Sequence, residues 1–119
     1  MAGWSEKVLD IDLNTHTHKT YPLDMEIAHL FIGGRGLGAR LLWDMVGPEV
    51  DPLSPENVLI FTNGPLTGTG YQTSNRFSVT TTRPLTGTIL HANSGGYWGM
   101  QFKKTGYDVM LVRGKSETP

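Results

Sequence analysis

Arg76-Phe77-Ser78-Val79-Thr80-Thr81-Thr82 decides the fold. Its side chains alternate, with Phe77, Val79 and Thr81 on one face, which is the period of a half-buried strand. A short apolar run, Val58 to Phe61, precedes it and reads as a buried strand. Thr88 to His91 follows it and reads as another. Glycine-rich and proline-containing loops separate these runs. Strands and helices therefore do not alternate regularly along the chain. The expected class is α+β, with mixed or antiparallel sheet and a few short helices, not a doubly wound α/β fold.

The rest of the chain extends this pattern. Val8 to Leu13 alternates, with Leu9, Ile11 and Leu13 expected inside and Asp10 and Asp12 on the solvent face. Asn14-Thr15 is turn-prone, and His16 to Tyr21 returns as the partner strand of a hairpin. Asp24 caps an expected helix over Met25 to Ile32 that ends at Gly33-Gly34. A second helix is expected over Leu37 to Val46. Leu37, Leu41 and Met45 recur along one face, and Gly47-Pro48 stops it. Tyr97 to Lys104 reads as a short helix closed by Gly106, and Tyr107 to Val112 as the final strand. Pro65-Leu66-Thr67-Gly68-Thr69 recurs as Pro84-Leu85-Thr86-Gly87-Thr88, which is read as one tight turn used twice.

Composition narrows the function classes. The 119 residues allow one domain with a real core. With 10 basic and 11 acidic residues, the net charge of −1 points to neither nucleic acid nor a membrane surface. Glycine, at 15 residues, is roughly twice its usual share and implies tight turns and close backbone contacts. There is no cysteine, so neither a disulfide, a thiolate metal site nor a cysteine-held iron–sulfur cluster lies within the chain. No signal peptide is visible, and no apolar run approaches the ~20 residues of a membrane helix, so a cytoplasmic location is expected.

Chemistry concentrates in two glycine-rich loops. Gly64-Pro65-Leu66-Thr67-Gly68-Thr69-Gly70 is followed by Arg76, and then by Asn93-Ser94-Gly95-Gly96. Backbone N–H groups in such loops bind anions, and arginine adds a planar fork of donors suited to phosphate. No nucleophile paired with a base accompanies them. The pattern is that of a floor for a large phosphorylated cofactor. Arg76 reads either as a surface ion-pair partner or, preferably, as a ligand-facing arginine.

Other candidates carry less. Gly34-Arg35-Gly36-Leu37-Gly38-Ala39 fits a loose dinucleotide pattern, but no strand is expected before it, so a closely packed helical junction is the better reading. His16 and His18 are placed on one exposed strand face without a third ligand. His91 lies just before Asn93 and is taken as structural, with a part in shaping the site as the alternative.

A family resemblance covers essentially the whole chain. Asp51-Pro52-Leu53-Ser54-Pro55-Glu56-Asn57, Gly64-Pro65-Leu66-Thr67-Gly68, Arg76, Ala92-Asn93-Ser94-Gly95-Gly96-Tyr97 and Gly106-Tyr107-Asp108 together carry it. Trp4 to Leu13 and Gly34-Arg35-Gly36-Leu37 add to it. The chain resembles the N-terminal domain of the aldehyde:ferredoxin oxidoreductases. The resemblance implies a tungsten, or molybdenum, bis-pterin cofactor, aldehyde oxidation to carboxylate, and electron transfer through a [4Fe–4S] cluster to ferredoxin. It implies that Arg76 lies between a pterin and the cluster. It also implies that the Asn93 backbone carbonyl helps hold a Mg²⁺ bridging the pterin phosphates, and that Ser94 and Gly95 line the same floor. The cluster and catalytic groups would lie in later domains. Residues 1–119 are thus expected to be a truncated N-terminal cofactor-binding domain, inactive alone. Its partners would be the remaining domains, ferredoxin, an aldehyde and a second copy in a homo-oligomer. The alternative is a non-catalytic scaffold or interaction module.

Overall fold

The computed structural model describes residues 3–119. Six strands, β1 (Lys7–Asp12), β2 (Thr17–Pro22), β3 (Val58–Thr62), β4 (Phe77–Thr82), β5 (Ile89–Ser94) and β6 (Val109–Arg113), form one sheet. Their order is β2-β1-β6-β3-β4-β5. β1 and β6 run parallel and the other neighbours antiparallel. Three helices complete the fold: α1 (Met25–Phe31), α2 (Gly34–Met45) and α3 (Trp98–Lys104). This is the α+β class expected from the sequence.

Local chemistry explains the helices. Asp24 accepts hydrogen bonds from the backbone N–H groups of Glu26 and Ile27 and so caps α1. α1 then stops abruptly. Ile32 adopts φ 68° and ψ −66°, and the Gly33 N–H reaches back to the Phe31 carbonyl at 2.8 Å. That is a γ-turn of the rare, strained hand, held by a β-branched residue. The turn swings the chain directly into α2, which starts at Gly34 and not at Leu37 as expected. α3 ends where Gly106, at φ 93°, bonds back to the Lys103 carbonyl.

α2 lies across β3 and β4. Leu37 and Leu42 of α2 and Ala28 of α1 pack with Val8, Val58, Ile60, Val109 and Leu111 of the sheet in the main core. A Cβ on Gly38 would stand 2.5 Å from Thr80 Oγ1, so here the helix backbone lies directly against the small side chains of the sheet. α3 covers the opposite face at one end. Trp98 and Phe102 stack there with Phe61 and Phe77, with ring centroids as close as 4.3 Å.

Several local expectations are corrected. Along β1 the buried face carries Val8 and Asp10, not Leu9, Ile11 and Leu13, which are half-buried. Asp10 does not face solvent: it is held by Arg113 through two hydrogen bonds of 3.0 and 3.1 Å. Along β4 the same inversion occurs, because Ser78 and Thr80 lie under α2. His16 sits in the β1–β2 turn at φ 54°, so it does not share a strand face with His18. The two Pro-Leu-Thr-Gly-Thr copies both place their glycine at positive φ, 77° and 68°, but only the second joins neighbouring strands, β4 and β5.

Candidate functional site

One cavity brings together Arg76, Asn93 and part of the first glycine-rich loop. It opens where β3 ends, β4 begins and β5 ends, and its volume is about 570 Å³. That is within the range of small-molecule sites. Its wall takes Gly64 to Thr67 and Tyr71 to Ser74 from the first glycine-rich loop, Arg76 and Ser78 from β4 and the residue before it, and His91 and Asn93 from β5. The start of α2 (Gly33, Gly34, Arg35) closes the remaining side.

The loop is self-supporting. Thr67 is buried; its hydroxyl accepts from the Gly64 N–H and donates to the Ser74 carbonyl at 2.9 Å. Ser74 in turn donates to the Leu66 and Tyr71 carbonyls. Beneath it runs a buried ion pair between Lys103 and Asp108. Lys103 also points its ammonium at the Gly64 carbonyl, and the second Asp108 oxygen accepts from the Glu6 N–H at 2.7 Å. Loop, α3, β6 and the N-terminal segment are thereby tied at one point.

The structure joins two of the expected site residues directly. Arg76 Nη1 donates to Asn93 Oδ1 at 2.6 Å. Arg76 makes no ion pair among the described residues. Ser94 ends β5 and Gly95 follows it; both are exposed and neither lines the cavity. Asn93 and Ser94, expected in a loop, belong to the strand.

Sequence reasoning passed over Ser78 and the α2 start, and took His91 as structural with a part in shaping the site as the alternative. Ser78 is 4% exposed, lines the cavity and makes no side-chain hydrogen bond among the described residues. His91 Nδ1 is buried without a partner. The N-terminus of α2 has no side-chain cap and no acidic residue in its first turn. The Gly34-Arg35-Gly36 run was the available signal, but it was weighed as a dinucleotide pattern and then read as a closely packed junction. The cavity is lined by two arginines and a histidine and by no carboxylate. Such a lining selects for anionic groups.

The residues lining the cavity fit an anionic, phosphorylated group. They offer unpartnered donors, glycine backbone that allows close approach, and no opposing negative charge. They offer no metal cage: no group of three or more His, Asp or Glu residues that could hold a metal occurs among the described residues. No helix among them is long and apolar enough to cross a membrane.

Comparison with known proteins gives the family. The family model for the aldehyde ferredoxin oxidoreductase N-terminal domain matches residues 8–119. The tungsten-containing aldehyde ferredoxin oxidoreductase of Pyrococcus furiosus is 48% identical over 119 residues, covering 100% of this chain and 20% of the relative. The enzyme of the same name from Thermococcus kodakarensis is 45% identical with the same coverage. Among solved structures, the active site complex BamBC of benzoyl coenzyme A reductase, with 1,5 dienoyl-CoA, superposes with a TM-score of 0.93 at 40% identity. It covers 98% of this chain and 18% of that one. The chain thus spans about one fifth of the length of the curated relatives it matches. It belongs to the aldehyde ferredoxin oxidoreductase family, as a member of that family's N-terminal domain.

Proposed function

We propose that this domain forms part of the floor beneath a tungsten bis-pterin in an oxidoreductase that converts aldehydes to carboxylates with ferredoxin as electron acceptor. The observation that carries this reading is the Arg76–Asn93 bond at the mouth of a cavity walled by glycine-rich backbone and free of carboxylates. Similarity to relatives named tungsten-containing aldehyde ferredoxin oxidoreductases supports the metal and the substrate class. When bound, the metal–dithiolene group would supply the two-electron chemistry. This chain's residues bind and orient. Arg76 would present its remaining donors to a pterin and to the neighbouring [4Fe–4S] cluster. The cluster's ligands come from elsewhere, because the chain has no cysteine. The Asn93 backbone carbonyl would contribute to a Mg²⁺ between the pterin phosphates, a hard cation suited to carbonyl and phosphate oxygens.

The substrate is set outside this domain. Relatives that share it carry names as different as aliphatic sulfonate oxidoreductase and glyceraldehyde-3-phosphate:ferredoxin oxidoreductase. We infer that the domain continues past Pro119 in the parent protein and that later domains complete the cofactor seat.

Elemental and pterin analysis of the full-length parent protein tests the proposal. Tungsten or molybdenum with two pterins per metal, and magnesium in stoichiometric amount, are expected. A parent protein that purifies from tungstate-supplied cells without pterin or either metal would make the domain a scaffold and end this reading.

A further inference from the structure

We propose that the N-terminus of α2, together with Ser78 and Arg35, is a phosphate-binding subsite of the same cavity. The proposal rests on the reading of that cavity as a cofactor floor and assigns one chemical group to one part of it.

The first support is backbone accounting. A helix start leaves four N–H groups without intrahelical partners. Here the Gly34 N–H goes to the Asn63 carbonyl at 3.1 Å and the Leu37 N–H to the Gly33 carbonyl at 3.3 Å. The N–H groups of Arg35 and Gly36 have no acceptor among the described residues. They lie where the helix dipole is positive, and α2 is 12 residues long. Buried or half-buried N–H groups at such an end are ordinarily satisfied by a cap, by water or by a ligand. Gly33, at the cap position, supplies no side chain.

The second support is independent of the helix. Ser78 is 4% exposed and lines the cavity, and its hydroxyl makes no hydrogen bond among the described residues. Its hydroxyl faces the helix start: a Cβ on Gly34 would stand 3.4 Å from Ser78 Oγ. His91 Nδ1, on the neighbouring strand, is another buried polar atom without a partner in the same wall. An unbonded hydroxyl on the buried residue Ser78 and the unbonded His91 Nδ1 stand in the same wall as the Arg35 N–H, and a ligand in the cavity can satisfy them.

Charge chooses the occupant. Arg35 and Arg76 both line the cavity, and no Asp or Glu does. A tetrahedral, doubly charged oxyanion can accept from backbone N–H, hydroxyl and guanidinium donors at once, which a neutral or singly charged group uses less fully. The strained γ-turn at Ile32 lies in the same wall and sets the helix start in place.

Titration of the isotope-labelled chain with inorganic phosphate tests this, read as backbone amide resonance shifts. Saturable shifts centred on Arg35 and Gly36 are expected. Arg35→Gln and Ser78→Ala should each weaken binding by roughly tenfold, the loss expected for one hydrogen bond to a charged group. Arg35 is exposed, so its replacement leaves the core intact even if Ser78→Ala disturbs packing. No saturable shift at these amides, or equal affinity for acetate, would overturn the assignment. The parent protein separates this inference from the reading it rests on. If it retains pterin and metal undiminished in Arg35→Gln and Ser78→Ala, the subsite fails and the floor stands. If the chain binds phosphate but the parent carries no pterin, the floor fails and the subsite stands.

Discussion

Arg76 Nη1 lies 2.6 Å from Asn93 Oδ1, a hydrogen bond between the residue that leads into β4 and one near the end of β5. The adjacent ladder pairs Ser78 with Asn93 and Phe77 with Ser94, so the bond extends strand pairing past the last rung. It anchors one guanidinium nitrogen. The other donors stay unpaired among the described residues, and the side chain lines the cavity. A guanidinium fixed at one corner loses less freedom when it binds a ligand than a free surface arginine does.

Arg76→Ala in the parent protein should therefore lower the metal and pterin content while the fold survives, because Arg76 is exposed. Each charged hydrogen bond lost is worth about 1.5–3 kcal/mol. Arg76→Lys should rescue only part, since lysine lacks the planar fork. Metal per protein, with circular dichroism as the folding control, measures both. Unchanged metal content in both variants would remove Arg76 from the site.

Gly38→Ala should destabilise the domain by more than helix propensity returns. The added methyl meets Thr80 Oγ1 at 2.5 Å and Thr80 Cβ at 3.1 Å, where real Cβ atoms do not sit. Overpacking of this kind costs about 1–3 kcal/mol. Thr80 Oγ1 is buried and unbonded, so Thr80→Ala removes the 2.5 Å contact without breaking a hydrogen bond and leaves only the tighter-than-usual contact with Cβ. Thermal unfolding of the double variant should recover part of the loss. Full additivity of the two single effects would refute this packing account.

These close contacts also explain which parts of the fold were legible beforehand. Strand and helix existence followed from periodicity and capping, as at Asp24 and Gly106. The inward face of β1 and β4 did not, because parity was assigned by apolarity. Under a helix whose glycines meet the sheet, only small side chains such as Ser78, Thr80 and Thr62 fit. The bulky Phe77 and Phe61 turn instead toward Trp98 on the other side. Asp10 was misplaced for a related reason. Its partner Arg113 is far away in sequence, and nothing local announces a bidentate pair. In the site, Arg76 and Asn93 stood out by residue type. Ser78 and the α2 start did not, since their value comes from partners they lack.

Tyr21 predicts alkaline behaviour. Partial burial pushes its phenol above the usual 10.0, Asp10 pushes it further the same way, and Arg113 opposes both. The folded state thus prefers the neutral phenol. Its contribution to stability is complete below pH 10 and is lost as pH rises through the raised folded value. Stability should fall with pH above about 10, and Tyr21→Phe should flatten that fall. Phenolate absorbance should show a titration above the usual 10.0 that is lost in Tyr21→Phe. A Tyr21→Phe profile that parallels the wild type would contradict this assignment.

The Lys103–Asp108 pair yields the sharpest stability test. Both side chains are buried, with 3% and 1% exposure, and both have further partners in the Gly64 carbonyl and the Glu6 N–H. Lys103 also packs its stem against Gly68, where a Cβ would stand 3.2 Å from Cγ. Lys103→Met keeps that stem but leaves Asp108 charged and unpaired, which costs about 3–5 kcal/mol for a buried pair. Asp108→Leu strands the ammonium and should cost a similar amount. Removing both charges should cost much less than the two losses combined, because neither charge is then left alone. A double-mutant cycle on denaturant unfolding measures the coupling. The glycine-rich loop gives a second readout. With Lys103 gone, the Gly64 carbonyl loses its cation, and amide exchange across 64–74 should accelerate even in the double variant. If exchange there is unchanged, the ion pair supports the core alone and does not hold the cavity wall.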